Sequence, residues 1–350
     1  MKALSAILAA LASCCVFSGC STHRNDLEAN APPQGLSTIS HAELASIAIS
    51  LLNDESSRAD LLSSDALAPL TEAASIVFMH TGSTRAVALV RQFAGGLLSA
   101  QITRGGVSGF FGASGSTVPR AQNTALSGLA LVQAYAASRD RRYQAAARAA
   151  AVHVTSPALG WVSSPIGDGV RVLEASAGPN VALTANAALL LKRVAALGET
   201  SLAPRSRAAF HTIYASQAAV GRWYASVGGR QPMTLAEWGT TLYDLSADGS
   251  RESLGVLGAG VPGLYANAFA ASGKLLQNGQ TRAQPIGVAL ALRALGGWED
   301  TTLANRAYGE FIKLRRPDGT IRLARADDTV SQAYFALALA QWLAGPAHGE

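Results

Sequence analysis

The sequence has three cysteines, and all of them lie at its beginning: Cys14, Cys15 and Cys20. Beyond Cys20 there is no thiol. That excludes a disulfide framework, a cysteine-ligated zinc site and a cysteine nucleophile from the rest of the chain, whose stability must come from packing. Lysine is almost as scarce, with only Lys2, Lys192, Lys274 and Lys313. The formal charge of +5 therefore rests on arginines, and these are scattered rather than gathered in a stripe with aromatics. Such a distribution argues against nucleic-acid binding. The histidines, His23, His41, His80, His153, His211 and His348, have no metal-ligand spacing. There is no Gly-x-Ser-x-Gly elbow and no phosphate-binding loop. The stretch Gly258-Ala-Gly-Val-Pro-Gly263 fits a dinucleotide fingerprint in its glycines alone. No strand pattern precedes it, Pro262 interrupts it, and no acidic residue follows about twenty positions on. No cofactor and no metal are expected.

Long apolar runs are missing too. Ala3–Phe17 is apolar but short for a bilayer span, and with Lys2 before it the stretch reads as a secretory signal. Val16-Phe-Ser-Gly-Cys20 resembles the bacterial lipobox, in which a cysteine is lipidated and becomes the first residue. Leu11-Ala-Ser-Cys14 also fits, but it leaves a shorter apolar region and strands a second thiol. An ordinary cleaved signal is the plain alternative. The lipobox reading divides the chain into a signal over 1–19, lipidated Cys20 with a flexible tether over 20–38, and a domain over 39–350. Asn25, Asn30, Pro32, Pro33 and Gly35 give the tether its composition. In Gram-negative lipoproteins an Asp after the cysteine favours inner-membrane retention. Ser21 implies instead an anchor in the outer membrane, facing the periplasm.

What the chain does have is small residues and a returning pattern. It is 49% hydrophobic but only 6% aromatic and 15% charged. It is too apolar for disorder and long enough for one large core or two modest ones. Abundant Ala and Gly suit close helix packing. Five segments open on a polar residue and continue as a small-residue helix: Asn123-Thr-Ala-Leu-Ser-Gly-Leu, Asn180-Val-Ala-Leu-Thr-Ala-Asn, Thr234-Leu-Ala-Glu-Trp-Gly-Thr, Gln284-Pro-Ile-Gly-Val-Ala-Leu and Asp328-Thr-Val-Ser-Gln-Ala-Tyr. They are the inner-helix candidates. Their interval of roughly 45–60 residues points to stacked or ring-forming helical hairpins. In all, the helical period predicts twelve helices, over 40–53, 64–80, 84–102, 122–138, 141–155, 180–197, 203–219, 234–246, 252–272, 284–296, 299–315 and 328–344. Ser40 with Glu43 makes a capping box for the first. Short turns such as Ser138-Arg-Asp140 and Gly296-Gly297 join antiparallel neighbours. Longer loops alternate with them and share a signature: Gly105-Gly-Val-Ser-Gly-Phe-Phe, Gly160-Trp-Val-Ser-Ser, Gly221-Arg-Trp-Tyr and Pro317-Asp-Gly-Thr-Ile. Gln101 and Gln217 precede two of these. Gly supplies a tight turn, and the residues after it favour a short extended segment.

On these motifs, over roughly residues 40–345, the chain resembles the α/α-toroid proteins, the superfamily of six-hairpin glycosidases, polysaccharide lyases, sugar epimerases and terpenoid cyclases. The resemblance implies an all-α ring of about six helical hairpins, with inner helices lining a funnel and the loops that enter them building an active site. An open superhelix of hairpins is the alternative architecture. The Asp-rich motif of the terpenoid cyclases is absent.

If the inner helices converge, their first turns face one cavity, where helix dipoles favour anionic groups. The polar residues there are Asn123, Asn180, Asn186, Glu237, Gln284, Asp327, Asp328 and Gln332. The loops add Phe110, Trp161, Asp168, Arg171, Glu174, Trp223 and Tyr224. Glu237 and Asp328 are the expected acid/base pair. Trp161, Trp223 and Tyr224 are the expected stacking residues for sugar rings, with Asn123, Asn180, Arg171, Tyr243 and Gln332 as further substrate contacts. Each has a structural reading as well. Asn123, Asn180 and Asp327 fit N-caps, Glu237 fits the N3 position of a capping box with Thr234, and both tryptophans fit plugs between hairpins. Tyr243 and Asp244 fit core or interface positions.

Two carboxylates across a glycosidic bond serve retention at roughly 5–5.5 Å and inversion at roughly 6.5–9.5 Å. A lyase or epimerase needs instead a base and a cation for a uronate, for which Arg171, Arg222 and Tyr224 are candidates. The expected function is thus an envelope lipoprotein acting on a bacterial polysaccharide as hydrolase, lyase or epimerase. The alternative is a non-catalytic glycan-binding or assembly lipoprotein of an exopolysaccharide synthesis or export system, with proteins of that machinery as partners. Two carboxylates converging on an open aromatic cavity would favour the enzyme. A Glu237 that caps its own helix would favour the scaffold.

Overall fold

The computed structural model describes residues 39–345 except 58, 60–61, 105–106, 114–115, 165–166, 172–177, 219–220, 269–284, 299–304, 306–307, 310–311 and 313–328. Among these residues there are eleven α-helices and two small hairpins. The helices are α1 (His41–Ser56), α2 (Ser64–Thr81), α3 (Thr84–Ser99), α4 (Ala121–Ser138), α5 (Arg141–Val154), α6 (Val181–Ala196), α7 (Ala203–Ala215), α8 (Leu235–Asp248), α9 (Arg251–Ala268), α10 (Pro285–Trp298) and α11 (Thr329–Ala344). All match expected helices. The one expected over 299–315 falls mostly outside the described residues, and residues 305, 308, 309 and 312 within it are helical. Gly296-Gly297, read as a turn, continues α10 to Trp298.

Helices α2, α4, α6, α8, α10 and α11 form an inner ring. Each packs on the next, and α11 packs back on α2, so the ring is closed. The open superhelix is excluded. Outer helices α3, α5, α7 and α9 lie against it, and α1 packs on α11 and α2. The sequence signals why each helix takes its layer. Inner helices α6 and α11 are apolar and buried almost all round, from Val181 to Val194 and from Ser331 to Leu343. A helix apolar on every face belongs inside. Outer α5 instead buries one stripe, Tyr143, Ala146, Ala147, Ala150, Ala151 and Val154.

Helix α2 corrects the sequence reading, which identified five inner helices and missed this sixth. No Gly/aromatic loop of the shared type precedes it, and Pro69 sits inside it. Burial identifies it: Ser64 and every residue from Ala66 to Val77 are buried.

The long loops build short extended segments, as expected. β1 (Ile102–Arg104) pairs antiparallel with β2 (Val107–Phe110), and β3 (Trp161–Ser164) with β4 (Gly167–Val170). Further bridges join Asn180 to Ser226 and Tyr224 to Pro232. The signature glycines Gly160 and Gly221 adopt φ of 86° and 74°, which L-residues avoid. A Cβ on Gly221 would also lie 1.8 Å from the Ala259 carbonyl oxygen.

The turns end helices as the chain predicts. Gly82 and Gly249 are left-handed caps after α2 and α8. Ser40 accepts from Glu43 N at 3.2 Å, which is the serine half of the expected box. Asp140 accepts from Arg142 N at 2.9 Å and starts α5.

Small residues set the ring's closeness. A Cβ on Gly239 of α8 would meet the Leu290 carbonyl carbon of α10 at 2.5 Å and the Ala291 nitrogen at 2.7 Å. Backbone cannot give way as a side chain can. Gly239→Ala should therefore destabilise the protein by about 1–3 kcal/mol, through overpacking. A urea unfolding midpoint unchanged from wild type would show that the two helices separate freely.

Candidate functional site

Gln122 of α4, Asn180 and Ala182 at the start of α6, Ala236 and Glu237 of α8 and Ile286 of α10 line a single cavity of about 250 Å³. The N-terminal ends of these inner helices therefore converge. Asn186, Thr240, Arg293 and Tyr334 continue the lining deeper, with Leu126, Leu183 and Leu290 as apolar wall. Two larger recesses, of about 540 and 500 Å³, lie elsewhere. One is lined by Arg91, Asp140, Arg142 and Tyr143, the other by Lys192, Phe210, Tyr214 and Asp248. In the second, Asp248 is engaged by Lys192, Tyr214 and Ser253 and fixes the corner between α8 and α9. Neither recess is at the mouth of the funnel.

At the helix starts, Asn180, Glu237 and Asn123 each have a local task. Asn180 is the N-cap of α6, its Oδ1 accepting from Leu183 N at 2.9 Å. Thr234 and Glu237 form a complete capping box. Glu237 Oε2 accepts from Thr234 N at 2.7 Å and from Thr234 Oγ1 at 2.9 Å, while Thr234 Oγ1 accepts from Glu237 N at 3.2 Å. Oε1 takes no part in this box. Asn123 does not cap its own helix, since Arg120 holds the N-cap position of α4. It reaches across to α2 instead, donating to Ser64 Oγ at 3.1 Å and to Asp65 Oδ1 at 2.5 Å. It thus staples two inner helices.

Below the mouth lies a buried ionic cluster. Arg293 Nη2 donates to Glu72 Oε1 at 2.5 Å, with both side chains only 6% exposed. The Arg293 guanidinium lies over the Tyr243 ring, 3.5 Å from its centroid. Burial opposes the charge on Arg293, but Glu72, Tyr243 and Asp244 outweigh it and raise its pKa. Burial pushes Asp244 up to about 8, with Arg293 and Arg193 opposing and Glu72 adding to the rise. Asp244 is thus largely protonated at neutral pH. Burial also raises the Tyr334 phenol, against the pull of Arg293, which keeps it a hydrogen-bond donor.

The structure separates the other sequence candidates. Trp161 begins β3 and is buried in the core. Trp223 donates from Nε1 to Ile213 O at 2.9 Å and packs edge-on against Trp238 at 5.6 Å. Both occupy the plug positions between hairpins. Tyr224 is exposed on its loop and Arg171 is exposed after β4. Phe110 stacks on His153 at 3.7 Å. Tyr243 belongs to the cluster, and Gln332 is buried in α11 with its Nε2 lacking a partner. Cys20, Glu174, Gln284, Asp327 and Asp328 lie outside the described residues.

Asp65, Glu72, Gln122, Arg293 and Tyr334 went unread in the sequence. The signal for two of them is present. Glu72 and Arg293 each stand alone in a run of small and apolar residues, and lone charges of opposite sign on buried helices must find each other.

No protein-family model matches the sequence, and no curated protein does. Solved structures do. A GH76 α-mannanase of Bacteroides thetaiotaomicron aligns with a TM-score of 0.64 at 12% identity, over 87% of this chain and 96% of its own. An inactive double-aspartate variant of the α-1,6-mannanase GH76A of Salegentibacter sp. HEL1_6, in complex with α-1,6-mannotetraose, aligns with a TM-score of 0.62 at 12% identity, over 86% and 98%. The chain is an α/α toroid. A polysaccharide lyase shares the fold as well, at a TM-score of 0.61 and 12% identity over 87% of this chain and 97% of its own. Among the described residues of this toroid no helix is long and apolar enough to cross a membrane.

The cluster makes stability depend on pH. The folded pKa of Asp244, about 8, stands above its ordinary 3.8. Between those values the folded state holds a proton that the unfolded chain releases. That stabilising contribution is complete below about pH 4 and is lost as pH rises through about 8. From about pH 5 to about pH 8, the urea midpoint of wild type should fall more than that of Asp244→Asn. Parallel curves would mean that Asp244 is already ionised in the fold.

Proposed function

We propose that this toroid acts on a bacterial polysaccharide as a glycoside hydrolase, binding the chain at the funnel mouth. The observation that carries this reading is the single cavity onto which the first turns of four inner helices open, lined by amides, a hydroxyl, a carboxylate and a phenol. Such groups hydrogen-bond sugar hydroxyls, and the leucine wall suits the apolar face of a ring. The named activities of proteins sharing the fold, α-mannanase and polysaccharide lyase, support a glycan-directed role. Glu237, with Oε1 outside its capping box, is one carboxylate of the proposed pair. Asp328, which directly precedes α11 in the sequence, is the other.

A second reading has its own observation. Glu237, the one carboxylate among the described residues that line the cavity, does cap its own helix. A funnel of amides with that carboxylate engaged suits binding without hydrolysis, as in a glycan-binding or assembly protein of an exopolysaccharide system. In both readings Cys20 carries the lipid that holds the protein to the envelope, at the outer membrane facing the periplasm.

Digests of acidic and neutral bacterial polysaccharides by wild type, Glu237→Gln and Asp328→Asn separate the two. New reducing ends that fall at least about a hundredfold in either variant establish the hydrolase. Unsaturated products would mark a lyase instead. Three equally inert proteins, with wild type retaining one glycan, establish the binding role. For the anchor, metabolic labelling with a fatty acid should mark wild type and leave Cys20→Ser unlabelled; equal labelling would move the lipid to another residue.

A further inference from the structure

The burial pattern of four inner helices shows which side chains face the funnel. Between Gln122 and Val132 of α4, only Gln122 and Leu126 are not buried. Between Val181 and Leu191 of α6 the one such residue is Leu183, and between Ile286 and Leu295 of α10 it is Ile286. On α8, from Leu235 to Ser246, they are Ala236, Glu237 and Thr240. Every one of these residues lines the cavity of about 250 Å³. The accessible face of the funnel is thus mostly aliphatic, with Gln122, Glu237 and Thr240 set into it. Among the described lining residues the one aromatic is Tyr334, which is buried, and Trp161 and Trp223 lie in the core. Among the described residues, then, no exposed ring is presented here for a sugar to stack on.

Such a face selects for a substituent rather than for a bare ring. A hydroxyl set against Leu183 or Ile286 loses its water and gains no partner. A methyl group loses nothing there and gains close contact with the branched side chains. An acetamido group joins that methyl to an N–H and a carbonyl. The Gln122 amide and the Thr240 hydroxyl each donate and accept, so they can pair with both. The group is also uncharged, so it meets no repulsion from Glu237. The cavity is smaller than the roughly 300–1,000 Å³ of drug-sized pockets, which suits one unit of a chain. We propose that the funnel mouth selects a sugar unit bearing an acetamido substituent, with Leu126, Leu183 and Ile286 around its methyl and Gln122 and Thr240 as partners of its amide. This rests on the reading of the funnel as a glycan site and extends it to the class of sugar.

Calorimetric titration of the full chain in detergent tests the assignment with matched ligands. N-acetylglucosamine oligosaccharides are compared with glucose oligosaccharides of the same linkage, which differ in the substituent alone, and with rhamnose oligosaccharides, which carry a methyl but no amide. Wild type should prefer the acetylated chain at least about tenfold over both. Leu183→Ala removes part of the wall and should narrow the preference over glucose oligosaccharides about fourfold. Thr240→Val keeps the shape, removes the hydroxyl and should narrow it about fivefold. Thermal midpoints confirm that each variant is folded. The wild-type preference needs no variant, so it decides the sugar class even if both variants unfold. Equal or tighter binding of glucose or rhamnose oligosaccharides, or an undiminished preference in both folded variants, overturns the inference and leaves the funnel as a glycan site. Binding of none of the three overturns both.

Discussion

A charge cannot be buried alone, and the interior of this ring depends on that constraint. Glu72 and Arg293 sit on two inner helices that are not ring neighbours, with α11 between them. Each stands among small apolar residues that offer no other partner. Desolvating either ion costs several kcal/mol, so the pair must form across the ring interior and must form closely. Once it does, α2 and α10 are held at a fixed separation. Tyr243 and Asp244 of α8 are drawn to the same point, the first by its ring face and the second as a protonated carboxyl. Apolar packing alone would tolerate several arrangements of such similar helices. A paired charge admits few.

Small residues provide the other half of the architecture. Gly239 brings α8 against the backbone of α10, and a Cβ on Gly128 of α4 would meet Leu190 of α6 at 2.7 Å. Close approach narrows the ring until its middle is filled by side chains and the cluster becomes a floor. The funnel is then a recess above that floor. Its mouth is set by helix starts, so the groups there are the ones that helix starts recruit: Asn180 as a cap, Thr234 and Glu237 as a box, Asn123 as a staple to α2. Structural and functional demands fall on the same side chains. That overlap is why Glu237 serves both the hydrolytic and the binding reading.

The aromatic residues show how local composition can mislead about function. Trp161 and Trp223 stand in Gly-led loops that enter inner helices, where a sugar platform would be expected. The loops turn them inward between hairpins, because a large apolar surface gains more from the core than from the mouth. The Nε1 of Trp223 finds its acceptor in the Ile213 carbonyl, which completes its burial.

The chain's own residues specify the helices, their pairing into hairpins and the extended segments between them. Those features rest on local causes: the 3.6-residue period, polar caps, glycines at φ above zero and short turns. Polar first residues, small-residue runs and a regular interval marked five of the helices as inner helices. Tertiary packing alone made α2 the sixth inner helix and closed the ring with α11 upon it, because Pro69 and the absent loop signature hid its role. It alone brought Glu72 to Arg293, residues 221 positions apart. It alone set Asn123 to bridging and Asp244 to holding a proton, since these depend on partners from other helices and on burial, which no local pattern encodes.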